Sequence, residues 1–152
     1  MIETVLCYLE KDDSFLMLYR NKKINDINHG KWIGVGGHIE ENETPEEAIK
    51  REVKEETNLD LLACHKIGVI LFKNENKVET MHVFTSKDFR GKLSNCDEGE
   101  LKWVKKAEMS HLSLWEGDRI FLPNLINGGP YFSYQFDYIE DRLISYKNQN
   151  DI

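Results

Sequence analysis

Apolar residues along this chain mostly alternate with polar ones or cluster in short runs, and in one segment they recur at helical spacing. Residues 3–10 and 14–20 are rich in β-forming side chains, and Lys11-Asp12-Asp13 joins them with turn chemistry, so the pair reads as a β-hairpin. Residues 21–30 are polar and Asn-rich and read as a loop, followed by a short strand over 31–35 that runs into Gly36-Gly37. Thr44, Pro45 and Glu47 are an N-cap, a first-turn proline and a capping-box partner, which predicts a helix to about Thr57 with Asn58 as its left-handed cap. Residues 61–73 and 77–85 form a long hairpin turning at Asn74-Glu75-Asn76, and 101–105 is another strand. Short helices are expected over 107–112 and 118–126, then a turn at 127–130. Residues 131–138 read as the final strand, with Phe132, Tyr134, Phe136 and Tyr138 on one core-facing side. From about Lys147 the chain is a polar tail.

Strands surrounding one strong helix point to a mixed α/β class. No linker, repeat or low-complexity block divides the chain, so residues 1–152 read as one domain. The start of the chain lacks the basic and apolar regions of a signal peptide. No apolar run approaches the ~20 residues that span a bilayer. Three widely spaced cysteines (Cys7, Cys64, Cys96) and five histidines show no ligand spacing, and the cysteines suit a reduced, cytosolic protein.

The helix carries the chemistry. At about 100° per residue Glu52, Glu55 and Glu56 share one arc, beside an apolar stripe of Ile49 and Val53. Three carboxylates within one turn repel one another, and a hard divalent cation such as Mg²⁺ or Mn²⁺ relieves that repulsion while also binding phosphate oxygens. Gly36-Gly37, just upstream, lets backbone pass close to a metal or phosphate. Taken alone, the helix also fits a solvated face laced with Glu–Lys pairs.

Charge sharpens the choice. Twenty Lys and Arg against 27 Asp and Glu leave a net charge of −7, the wrong balance for a nucleic-acid polymer as partner. Eight glutamates lie between Glu40 and Glu56 against Lys50, Arg51 and Lys54, which concentrates most of that charge on the helix and its entry. Such acidity suits a metal that in turn recruits phosphates.

The spacing Gly37, Glu43, Arg51, Glu52, Val53, Glu55, Glu56, Leu59 resembles the signature of the Nudix hydrolases, covering 37–59, with Asn58 where the family usually carries glycine. The resemblance implies an α/β/α sandwich with a mixed sheet, and Mg²⁺-dependent cleavage of a nucleoside diphosphate linked to another group. By position, the implied metal ligands are the Gly36 carbonyl, Glu52, Glu55 and Glu56, with Arg51 orienting the cluster through Glu43 or a neighbouring carboxylate. The general base would be a helix glutamate, commonly the one matching Glu52, or a glutamate of a later loop.

Further likeness to the MutT-type subgroup that hydrolyses oxidised purine nucleoside triphosphates runs through Lys31-Trp32, Asp97-Glu98, Trp103 and Trp115 to Asp118. It implies Glu98 as the loop carboxylate at the metal, with Glu100 as competitor, and Trp115 and Asp118 as the purine's stacking and hydrogen-bonding partners. Trp115 packed at a helix start with Asp118 as its cap is the alternative. Ile33 stands where that subgroup has a base-reading amide, and Gly117 replaces an aspartate. Arg20, Lys22 and Lys23 are candidates to reach phosphate oxygens, or form a solvated basic loop.

The expected activity is release of a nucleoside monophosphate and pyrophosphate, with 8-oxo-dGTP or another oxidised purine nucleotide as first substrate. Ordinary nucleoside triphosphates, nucleoside diphosphate sugars or dinucleoside polyphosphates are the alternative substrates. A non-catalytic nucleotide sensor or interaction domain is the alternative of another class. The partners expected are nucleotides, with no membrane, and the chain is expected to act as a monomer or homodimer.

Overall fold

The computed structural model describes residues 2–149. Its elements in order are β1 (Ile2–Lys11), β2 (Ser14–Tyr19), β3 (Trp32–Ile33), β4 (Val35–His38), α1 (Pro45–Thr57), β5 (Asp60–Asn74), β6 (Lys77–Arg90) and β7 (Glu100–Lys105). A 3-10 helix (Lys106–His111), α2 (Asp118–Asn127), β8 (Phe132–Ile139) and β9 (Arg142–Asn148) complete it.

β1 is the branch point. It pairs in parallel with β6 and antiparallel with β4, while its last residues turn through Asp12 and Asp13, both at positive φ, into β2. The sheet runs β4-β1-β6-β5-β8-β9, and β2 carries β3 and β7 away from it. β5 and β8 are also parallel, so the sheet is mixed.

Both faces of β1 are covered, which explains its nearly unbroken apolar run. Val5, Cys7 and Leu9 point to one side and pack with Ala48, Ile49 and Val53 of α1. Leu6 and Tyr8 point to the other and join Phe121, Leu122 and Leu125 of α2 with Phe132 and Phe136. A helix on each face gives the expected α/β/α sandwich with a mixed sheet.

Several elements differ from the sequence reading. The strand expected over 31–35 is two short strands interrupted at Gly34, one joining β2 and the other β1. Gly36 and Gly37 therefore lie inside β4, paired with Leu6 and Val5. The helix expected over 107–112 is a 3-10 turn. β8 is not the final strand, because β9 follows it and takes in Lys147 and Asn148, where the sequence reads as a polar tail. Ile144 and Tyr146 of β9 are more than half exposed, so this edge is held by backbone pairing and lacks the buried alternation that marks a strand in sequence. The end of the tail, residues 150–152, lies outside the described residues.

All three cysteines are free. Burial pushes their thiols up, which disfavours the reactive thiolate. Among the described residues no helix is long and apolar enough to cross a membrane.

Candidate active site

α1 begins as its sequence demands. Thr44 Oγ1 accepts from the Glu47 N–H at 3.1 Å, and Glu47 Oε1 accepts from the Thr44 N–H at 2.9 Å. It ends on Asn58 at φ 69°, whose N–H donates to the Lys54 carbonyl. With Ile49 and Val53 buried against the sheet, Glu56 is drawn under the helix and only 9 % exposed, Glu52 borders the sheet, and Glu55 points outward.

Arg51 ties the cluster together. Its Nε and Nη2 donate to the two oxygens of Glu43 at 2.7 and 2.9 Å, Nη1 donates to Glu52 at 2.8 Å and Glu55 at 3.2 Å, and Nη2 also reaches the His38 carbonyl. The bond from Arg51 holds the Glu43 carboxyl down at about 2.

Glu56 is the opposite case. Burial, then the charges of Glu98 and Glu52, push its carboxyl up to about 9, and its Oε2 is buried without a partner. Beside it, a β-carbon on Gly37 would stand 2.6 Å from the Glu52 carboxylate, so the missing side chain is what makes room for that group. Glu98 approaches from the loop before β7, held by Arg20 Nη1 at 3.0 Å and Lys23 Nζ at 3.6 Å.

These groups fit a hard divalent cation in donor type: carboxylate oxygens, one of them orphaned, under a strand with no Cβ in the way. Among the described residues no three acidic, His or Cys side chains converge closely enough to hold an ion as they stand. Arg51 and Arg20 engage Glu52, Glu55 and Glu98 instead.

A cavity of about 420 Å³ runs from this cluster across the sheet. Gly36, Gly37, Glu52, Glu56, Glu98 and Arg20 line it, and so do Ile33, Phe72, Trp115 and Asp118. Glu55, Glu100 and Lys23 are absent from its wall. Glu100 sits on β7 and accepts from Asn21 at 3.1 Å, while Lys22 donates to the Cys96 carbonyl at 2.6 Å. Of the two loop candidates, only Glu98 meets the helix carboxylates.

Trp115 is 7 % exposed, edge-on to Phe72 and Tyr138, with Lys31 Nζ 5.3 Å from its ring centroid. Asp118 is not the cap of α2; Gly117 holds that position, and its N–H donates to the Tyr138 hydroxyl at 2.6 Å. Asp118 lies in the first turn and faces the cavity, where burial pushes its carboxyl up to about 7.

Sequence reading missed other parts of the wall. Thr4 on β1 donates to Glu79 on β6 at 2.9 Å, and Phe72 sits directly opposite Glu79 on β5. Asn28, in the polar loop, accepts from Trp115 Nε1 at 2.8 Å. The hairpin that contains β6 was legible, but no local pattern told which distant residues would meet it.

Comparison with known proteins agrees with this geometry. A NUDIX domain model matches residues 2–125. The oxidized purine nucleoside triphosphate hydrolase of Danio rerio is 28% identical over 120 residues, covering 78% of this chain and 77% of that protein. The uncharacterized Nudix hydrolase YvcI of Bacillus subtilis is 27% identical over 148 residues, 93% of this chain and 90% of its own length. A solved MutT protein from Bacillus halodurans superposes with a TM-score of 0.86 at 24% identity, over 99% of each chain. With the family's match spanning most of the residues, this protein belongs to the Nudix family and is a MutT-like hydrolase.

Proposed function

We propose that this hydrolase is a Mg²⁺-dependent nucleoside triphosphate pyrophosphohydrolase that releases a nucleoside monophosphate and pyrophosphate. The observation that carries the reading is one cavity lined both by the carboxylates of Glu52, Glu56 and Glu98 and by Trp115 with Asp118. A triphosphate at the acidic end places its base beside Trp115. An oxidised purine nucleotide such as 8-oxo-dGTP is the first substrate to test.

Glu52, Glu56, Glu98 and the Gly36 carbonyl would hold the ion, with Glu55 joining by a rotation away from Arg51. Nudix hydrolases generally use divalent metals, and the chemistry such an ion supplies is polarisation of a phosphoryl oxygen and a lowered pKa for bound water. Arg51 keeps Glu52 oriented through its bond at 2.8 Å. Glu52, Glu56 and Glu98 are the candidates to take the proton of the attacking water. Arg20 lines the cavity and pairs with Glu98, and it would meet phosphate oxygens if Glu98 were taken up by the ion.

Pyrophosphate release with Mg²⁺, for wild type and Glu56→Gln, tests the assignment. Full activity in the variant sinks it. A second reading, an unmodified nucleoside triphosphate as substrate, is favoured by Ile33: an apolar side chain lines the cavity where an amide would read the base. A panel ranked by kcat/KM separates the two, and the sanitising role fails when the unmodified nucleotide outranks its oxidised form.

A further inference from the structure

Asn28 is the only carboxamide on the cavity wall among the described residues. Trp115 settles which way it faces. An indole N–H is a donor only, so the atom 2.8 Å from Trp115 Nε1 is the amide oxygen. The amide nitrogen keeps both protons and makes no hydrogen bond to any described residue.

The group is also held still. Its backbone N–H donates to Asp26 Oδ1 at 3.0 Å, and its carbonyl accepts from Lys31 at 2.9 Å. Asp26 is itself fixed by Arg20 at 2.6 Å. A donor with fixed direction at the rim of a binding cavity loses little freedom when it engages a ligand.

Asp118 lines the same cavity as Asn28 and Trp115. Its backbone N–H donates to the Trp115 carbonyl at 3.0 Å, so the turn that carries the carboxylate is tied to the tryptophan whose ring orients the amide. Ile33, across the cavity, offers no polar atom to compete.

We infer that Asn28 is a specificity-determining residue: its amide donates to a carbonyl of the nucleobase while Asp118 accepts from the adjoining ring N–H. The cavity then takes bases with a lactam edge, such as guanine or hypoxanthine, in preference to those with an amino group there. Phosphates anchored at the acidic end set which way the base enters, so the order of donor and acceptor is read. Adenine in that pose sets an amino donor against the amide donor and a ring acceptor against the carboxylate. This inference rests on the cavity being a nucleotide site.

The test compares inosine and adenosine nucleotides, which differ at the atoms in question. Dissociation constants for the monophosphates are measured by calorimetry, and kcat/KM for the triphosphates, on wild type, Asn28→Ala and Asn28→Asp. Asn28→Asp keeps an oxygen for Trp115 and turns the free donor into an acceptor. Wild type is expected to prefer inosine by about tenfold, the scale set by an unpaired polar group at a binding site. Asn28→Ala lowers the ratio to the part that Asp118 supplies, and Asn28→Asp lowers it further, to near one.

A ratio unchanged in both variants, or both nucleotides weakened equally, overturns the inference, since Asn28 is then only a loop anchor. So does a wild type that prefers adenosine or binds neither nucleotide. The expected ratios in binding without any hydrolysis would leave the inference standing and remove the proposed activity instead.

Discussion

Gly37 lies beneath the carboxylate of Glu52, so close that a β-carbon there would stand 2.6 Å from the carboxyl carbon and both oxygens. Glu52 is the far end of a flexible side chain, and Gly37 has no positive φ, so alanine at this position displaces the carboxylate and leaves the backbone intact. Gly37→Ala is expected to keep the wild-type circular dichroism spectrum and to lose activity on the order of 10²-fold, as small misplacements of a positioned group do. Undiminished turnover in Gly37→Ala would falsify the assignment of Glu52.

Buried Glu56 makes the stability of the metal-free protein depend on pH. Its folded value, about 9, lies above its ordinary 4.5, so the folded state holds a proton that the unfolded state releases. Stability is therefore full below pH 4.5 and declines as pH rises toward 9. Thermal unfolding from pH 5 to pH 9 in a chelator should show this decline, and Glu56→Gln should flatten it. Added Mg²⁺ should raise the wild-type Tm most at the alkaline end. An identical slope in wild type and variant excludes Glu56 as its source.

The Arg51–Glu43 pair acts at the other end of the scale and with the opposite sign. Glu43 is held at about 2 against an ordinary 4.5, so its contribution is present above 4.5 and disappears as pH falls through 2. Glu43→Gln should lower Tm near pH 7 and converge with wild type in acid. It should also reduce kcat, because Arg51 loses its two-pronged anchor and Glu52 loses its orientation. Equal kcat in the two proteins would show that Arg51 orients Glu52 without Glu43.

Asp118 ties base preference to pH. Burial raises its carboxyl to about 7, while Arg119 and Lys31 pull the other way, and the hydroxyls of Tyr8 and Tyr138 stand within its field. Only the ionised carboxylate accepts freely from a ring N–H, so preference for inosine over adenosine nucleotides should rise from pH 6 to pH 8. Asp118→Asn should make that preference independent of pH. A wild-type ratio that stays level over the same range counts against Asp118 as the acceptor.

Much of the acidic end was legible in the chain. Thr44, Pro45, Glu47 and Asn58 delimit α1 through contacts no more than four residues apart. Within a helix, sequence spacing converts directly into direction, so Ile49 and Val53 aim the helix at the core and Glu52 and Glu56 follow. Spacing could not tell that Glu55 turns away to Arg51, since its position on the arc is the same with or without an ion.

The far end of the cavity was less legible, because it is assembled across the sheet. Phe72 meets Glu79 through the β5–β6 register, Thr4 reaches the same carboxylate from a strand 75 residues away, and Asn28 meets Trp115 across 87 residues. The sequence alone determined the helix, its glutamates and the glycines beside them, because caps, periodicity and turns act over a few bonds. Tertiary structure decided which loop glutamate joins them, that Glu56 is buried with an unpaired oxygen, and that Asn28 meets Trp115 at the cavity wall. Those outcomes depend on strand register and on how a loop closes over a sheet, where the partners are distant in the chain and no local pattern specifies them.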